Sequence, residues 1–281
     1  MGKSQTECEM IMNAQRDFIK EVCTELNILL ESFSQDYVLR LSKDGVTRQI
    51  FGAYWDVNSA AADRIACDKN ACYTLLKNSN IPAIPHELFF NPQRRMGWAG
   101  PEGTWSHALR FFNSTGASAV LKPNQGTRGM DVYYCDSIPL MEAAAQTIFA
   151  SYPSCAISPY VDIETEYRVF YHMGTCLFAY GKKAGDTWQH NLSQGAKAFE
   201  LPAKSAADKM KLSALHSLAT RAAKCVGINF ATVDIAEEPS GKLMIMEINS
   251  GVQAKLLLDQ LPHLRPIVKS IYAKAISGLF A

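Results

Sequence analysis

The amino-acid sequence predicts an α+β protein, and three observations carry that prediction. Runs that alternate apolar and polar residues in strand fashion are interleaved with runs of helical period, most regularly from residue 120 onward. The 281 residues are 48% apolar, enough to bury one large core or two modest ones. Neither an internal repeat nor a low-complexity stretch breaks the pattern.

The elements follow in order. Ile11, Phe18, Val22, Leu26, Leu29 and Leu30 recur at helical spacing and predict one amphipathic helix over 10–33. YVLRLS and VTRQIF flank Lys43, Asp44 and Gly45, and the Asp-Gly pair signals a hairpin turn. Asn58 and Ser59 can cap a helix through ADRIACDKNACYTLLKNS. IPAIP then stops it, because proline lacks the donor a helix needs, and strand or loop resumes near residue 81. Residues 91–118 are rich in turn formers and read as a connecting arm with a short helix from Trp105 to Phe112. Beyond it, the strand-like runs AVLKP, MDVYYC, CAISPYV, YRVFYHM, CLFAYGKK, FATVDIAEE and KLMIMEI alternate with helices at 139–151, 206–226 and 253–279.

Charge and composition exclude several classes of partner. Lys and Arg number 28 against 27 Asp and Glu, and a formal charge of +1 provides no field to hold nucleic acid or an anionic membrane. Neither is expected as a partner. The opening MGKSQTECEMIMNAQRDFIKE mixes charged with apolar residues, unlike a secretory signal, and no later run reaches the length of a membrane span. A cytoplasmic location is the expectation. The eight cysteines form no CxxC pair and read as buried thiols. Cys67 and Cys72, on one predicted helix, lie at ligand spacing from no histidine.

The stretch VLKPNQGTRGMDVY, residues 120–133, delivers Lys122 at a strand end and follows it with a loop holding Gly126 and Gly129. A cation beside backbone amides that glycine leaves accessible suits a phosphate. A plain hairpin would also use these glycines. The order of parts excludes GxxxxGK[ST], where the lysine follows the glycines, and the stretch does not fit GxGxxG. Later, Asp234 lies in FATVDIAEE, while Glu247 and Asn249 stand two apart in KLMIMEINS and so share a strand face. A hairpin through Glu238, Pro239, Ser240 and Gly241 brings Asp234 beside them, an all-oxygen group of the kind Mg²⁺ prefers. Met244, Ile245, Met246 and Ile248 surround Glu247 with apolar neighbours, where a carboxylate needs a partner or a metal.

In chain order the pieces are DK at 68–69, KPNQGTRG at 122–129, ISPYVDIETEYRV at 157–169, NLSQG at 191–195, Asp234, and EIN at 247–249. Taken together they resemble the ATP-grasp superfamily, most nearly the glutathione-synthetase-like and cyanophycin-synthetase-like carboxylate-amine ligases, over residues 58 to about 260. The resemblance implies an ATP-grasp fold: two α+β subdomains that clamp ATP, in a domain over 58–281 with a mobile lid at roughly 84–160. It also implies a shortened N-terminal region over 1–57, where relatives carry a Rossmann-like domain. Apolar surface on the helix at 10–33 favours a homodimer.

The same resemblance assigns roles. Lys69 and Lys122 reach the nucleotide phosphates, under a lid loop that includes Gln125, Gly126, Thr127, Arg128 and Gly129. Arg128 departs from the smaller residues usual there and reads equally well as a solvent-facing lid residue. Tyr160 and Val161 present backbone groups to adenine, and Glu166, with Glu164 as the competing assignment, accepts the ribose hydroxyls. Arg168 points into the same cleft toward phosphate oxygens or a substrate carboxylate. Lys182 or Lys183 faces the γ-phosphate or an acyl phosphate, and Asn191 bonds the metal or phosphate region, although a simple turn would look the same. Asp234, Glu247 and Asn249 hold two Mg²⁺ ions, with Mn²⁺ as an acceptable substitute. The expected activity is ATP-dependent joining of a small carboxylate and an amine, both amino-acid-like, through an acyl phosphate. The alternatives are an ATP-grasp kinase that stops at a phosphorylated small molecule, and a nucleotide-binding protein without turnover. The six histidines are scattered, with His190 nearest the site residues.

Overall fold

The computed structural model describes residues 15–93, 103–127 and 129–281. Arg128, the first residues of the helix expected over 10–33, and the middle of the connecting arm lie outside the described residues.

The N-terminal region opens with helix α1 over 15–25. It ends earlier than the sequence period suggests. Ile28 N donates to Cys23 O, Asn27 takes a positive φ of 52°, and the chain reverses into strand β1, Leu29–Phe33. A short apolar run such as Ile28-Leu29-Leu30 satisfies either period, and pairing with β2 (Val38–Lys43) decides for strand. β2 then turns into β3 (Val46–Phe51) through Asp44 and Gly45, whose φ of 49° and 78° suit a tight hairpin. With β4 (Tyr54–Trp55) these make a four-stranded antiparallel meander, two strands more than the hairpin expected. The apolar face of α1 is spent inside the chain: Phe18, Ile19, Val22 and Cys23 are buried, and Phe18 stacks on Tyr272 at 5.3 Å.

The expected helix after residue 59 is two helices, α2 (Ala60–Cys67) and α3 (Lys69–Asn78). Ser59 caps the first by accepting from Ala62 N, while Asp68 breaks the run and caps the second by accepting from Ala71 N at 2.9 Å. Cys67 and Cys72 therefore lie on different helices. Asn58, the other candidate cap, is buried instead and binds Asp63, Asn229 and Phe230.

The region expected to form the lid holds a four-stranded sheet, ordered β5-β8-β6-β7, from β5 (Glu87–Phe90), β6 (Ala119–Pro123), β7 (Tyr133–Cys135) and β8 (Ser154–Pro159). Helices α4 (Trp105–Ser114) and α5 (Ile138–Ser151) cover one face around Phe89, Leu121, Cys155 and Ile157. The central sheet is five-stranded and antiparallel, ordered β11-β10-β9-β12-β13. Its strands are β9 (Thr165–His172), β10 (Thr175–Lys183), β11 (Lys197–Glu200), β12 (Phe230–Glu237) and β13 (Leu243–Asn249). Tyr167, Val169, Val233, Ile235 and Ile245 on one face pack against α2, α3 and α6 (Ala206–Val226). On the other face Phe170, Tyr180 and Phe230 join the meander and the C-terminal helix in one core. The helix expected over 253–279 is interrupted by Pro262: α7 (Lys255–Gln260) and α8 (Arg265–Gly278) flank a short 3₁₀ turn. Among the described residues no helix is long and apolar enough to cross a membrane.

Candidate active site

The face of the central sheet that carries Phe170 and Phe230 changes character toward the lid. Strand register sets Lys182 opposite Glu166, Arg168 opposite Asp234, and Asp234 opposite Glu247, so four strands contribute charged groups to one face. Arg168 donates from Nε and Nη2 to the two Asp234 oxygens at 2.7 and 2.6 Å. Lys182 Nζ donates to Glu166 and lies 3.5 Å from Asp234 Oδ1. Asn249 Nδ2 reaches Asp234 Oδ2 and Glu247 Oε1, each at 3.1 Å. Two acids and two cations thus offset one another in a quartet of which Glu166, Lys182 and Asp234 are buried and Arg168 partly so, and low dielectric makes it strong. Burial pulls the Asp234 carboxyl upward, yet Arg168 and Lys182 outweigh it and hold the group below the usual range. Burial and Arg168 oppose the charge on Lys182, and Asp234 and Glu166 more than restore it.

Register also sorts the paired assignments. Lys182 points inward and is buried while Lys183 is exposed; Glu166 is buried and Glu164 is exposed. The Glu166 carboxylate is already held by Lys182, and the Arg168 fork is closed on Asp234 through Nε and one Nη2 hydrogen, leaving the Nη1 pair and the second Nη2 hydrogen for a ligand. The three oxygen-bearing side chains do come together. Their donor set fits Mg²⁺. Glu247 and Asn249 Oδ1 are its available members, since both Asp234 oxygens serve Arg168. Among the described residues no group of three His, Cys, Asp or Glu side chains is placed to hold a metal.

The facing wall is the four-stranded sheet of the expected lid. Lys122 leaves β6 half-buried in the cleft, with no ion pair among the described residues. Burial, then repulsion from Lys69, brings its pKa down to about 8, against smaller attractions from Glu247 and Glu166. Lys69, in the first turn of α3, donates to Gly126 O at 2.8 Å and Asn124 O at 3.5 Å, so it ties down the glycine loop. Asp68 does the same from its other oxygen, accepting from Asn124 Nδ2 at 2.6 Å and Gln125 Nε2 at 3.2 Å. Thr127 is exposed, and Gly126 N closes a turn onto Pro123 O. Gly129 combines a φ of 67° with a close neighbour: an added Cβ would lie 2.5 Å from Asn191 Nδ2. Asn191 therefore meets the lid loop directly. Sequence reasoning assigns no role to Asp68 or His86, and gives Asn124 only a place in the lid loop over 124–129; of these the aspartate before a helical run carries a signal, that of an N-cap.

At the hinge, Tyr160 N donates to Ser118 O, and the ring packs between Tyr134 and Trp188 at 5.0 and 5.9 Å. Val161 and Ile163 pack with Ile84, Ala236, Met244 and Met246 in a small apolar cluster where the two sheets meet. No local pattern in the sequence announces that sleeve. His190 is fixed structurally, its ring nitrogens near Lys182 O at 3.3 Å and Ile163 O at 3.1 Å.

The chain has counterparts among known proteins. The profile of an ATP-grasp domain family, family 3 of its clade, matches residues 79–260. Among curated proteins none matches the chain. Among solved structures, D-alanine–D-alanine ligase from Bacillus anthracis superposes with a TM-score of 0.60 at 15% identity, covering 79% of this chain and 70% of that one. The same enzyme complexed with ATP gives 0.58 at 16% identity, covering 79% and 69%. VanG D-Ala:D-Ser ligase from Enterococcus faecalis gives 0.55 at 13% identity, covering 74% and 64%. At these identities the likeness is one of fold.

Proposed function

This chain belongs to the ATP-grasp domain proteins, in family 3 of its clade, and from that premise we propose that it is an ATP-dependent ligase joining a small carboxylic acid to an amine. The observation that carries the reading is one cleft with two unlike walls: Lys122 and Lys69 beside a glycine loop on one side, and Glu247 with Asn249 on the other. Solved structures titled as D-alanine–D-alanine and D-Ala:D-Ser ligases, the first also complexed with ATP, share the fold and support the reaction class.

In this reading the apolar cluster around Val161 and Met246 receives the base, and Lys122 with the glycine loop beside it receives the phosphates. Lys69 acts from behind, by holding the carbonyls of Asn124 and Gly126 and so fixing the loop. Magnesium held by Glu247 and Asn249, with Asp234 a ligand only once Arg168 turns to the nucleotide, as two ions with Mn²⁺ able to substitute, would offset phosphate charge. A carboxylate oxygen of the acid attacks the γ-phosphorus in line, ADP leaves, and the amine then displaces phosphate from the acyl phosphate to form the amide. Arg168 Nη1 and Lys182 stand on that side of the cleft, and the lid loop meeting Asn191 keeps water from the mixed anhydride.

Incubation with ATP, Mg²⁺ and a pool of amino acids, followed by mass spectrometry, should yield an amide together with ADP and phosphate. ADP with a stable phosphorylated product and no amide would overturn the ligase in favour of a kinase. Glu247→Gln should lower turnover by about a hundredfold or more, because a metal-binding charge is lost, while the melting temperature stays near that of the wild type.

A further inference from the structure

A buried histidine with no role above stands beside Glu247. His86 follows the IPAIP segment, is 2% exposed, and its Nε2 is buried without a hydrogen-bond partner. The residue is held in place. Its carbonyl accepts from Asn70 Nδ2 at 2.7 Å, and its ring meets Tyr73 edge-on with centroids 6.5 Å apart. Burial, with Lys122 and Lys69 nearby, holds the ring neutral, so one nitrogen offers a lone pair, and the unpartnered Nε2 is the one that faces the need for a donor. A small cavity of ≈ 10 Å³ lies between His86, Glu247, Lys69 and Tyr73, over an apolar floor of Leu76 and Ile245. That volume suits one water molecule.

The hydrogen-bond count closes around such a water. It donates one hydrogen to Nε2 and the other to the Glu247 carboxylate, and it accepts the Lys69 ammonium hydrogen left over from Gly126 and Asn124. We propose that His86, through this single water, is a positioning residue for Glu247, a proposal that rests on the reading of Glu247 as a metal-binding carboxylate. Asn249 Nδ2 already holds Oε1 at 3.1 Å, so the water on Oε2 fixes the carboxylate from its second side. The histidine is well mounted for this. Ile84 N donates to Ile245 O, and Ile245 N to Pro82 O, each at 2.9 Å, so the segment bearing His86 is laced to the strand bearing Glu247.

Two substitutions separate the role of the ring from that of the nitrogen. His86→Phe keeps a planar ring and removes the acceptor; His86→Gln returns an acceptor oxygen near the place of Nε2. Mn²⁺ is titrated into protein with the ATP analogue AMP-PNP, and bound Mn²⁺ is read by electron paramagnetic resonance. His86→Phe should need about tenfold more Mn²⁺ for half-saturation, His86→Gln should recover most of that loss, and metal-free binding of AMP-PNP should be the same in all three. In the wild-type protein without ligand, the ¹⁵N spectrum of the ring should show Nδ1 protonated and Nε2 as a hydrogen-bonded acceptor. An unchanged Mn²⁺ requirement in His86→Phe, a glutamine variant as poor as phenylalanine, or a protonated Nε2 would overturn the proposal. Failure of the unsubstituted protein to bind Mn²⁺ with AMP-PNP would sink the metal reading of Glu247 as well, and it is distinguished by appearing before any substitution.

Discussion

Two lysines face one cleft from opposite walls in opposite electrostatic company. Lys182, on the central sheet, pairs with Glu166 and lies 3.5 Å from Asp234, and its charge is reinforced. Lys122, on the lid sheet, has no ion pair among the described residues, and burial together with Lys69 drives it toward neutrality, to about 8. A paired buried cation holds the protein together, whereas an unpaired one costs stability until an anion arrives. In the proposed function, the difference separates a wall that acts as scaffold from one that awaits the phosphates.

Replacing each lysine by the uncharged, similarly long methionine should separate the two roles. Lys182→Met strands Glu166 and Asp234 beside a single remaining cation, Arg168, and should cost about 3–5 kcal/mol in chemical denaturation. A loss below about 1 kcal/mol would mean that the quartet is solvated and dispensable. Lys122→Met should leave the melting temperature unchanged or slightly raised, yet weaken ATP by about 1.5–3 kcal/mol, the range of a charge-assisted hydrogen bond. Should both variants lose stability alike, the contrast between the walls would disappear.

How much of this the sequence discloses depends on distance along the chain. Glu247 and Asn249 stand two apart on one strand, so period alone puts them on one face, and the Pro239-Ser240-Gly241 turn brings Asp234 opposite Glu247. The choice between Lys182 and Lys183, or Glu166 and Glu164, needs the register of β9 against β10, which no local pattern encodes. Arg168 reads from sequence as a ligand-facing fork because its pairing with Asp234 joins residues 66 apart. The fold is legible where helices and strands are long, and misleads where Leu29 and Leu30 suit either period or where Asp68 caps a helix inside an apparently continuous run. His86 gives no warning at all: a lone histidine after a proline acquires meaning only from the cavity it borders.

The division of labour between the walls turns on the unpaired state of Lys122, and proton uptake reads that state without mutation. In the empty protein this lysine's pKa lies below its ordinary 10.5, so it lowers folding stability at pH values under about 8, and that penalty lifts as the pH rises from 8 toward 10.5. A bound triphosphate restores the charge. Calorimetric titration with ATP and Mg²⁺ at pH 8, in two buffers of different ionisation enthalpy, should therefore show uptake of about half a proton, with affinity falling above pH 8 toward tenfold per pH unit, and Lys122→Met should abolish both effects. Heats independent of buffer, with an affinity flat from about pH 7 to pH 9, would show that Lys122 is already charged before the nucleotide arrives.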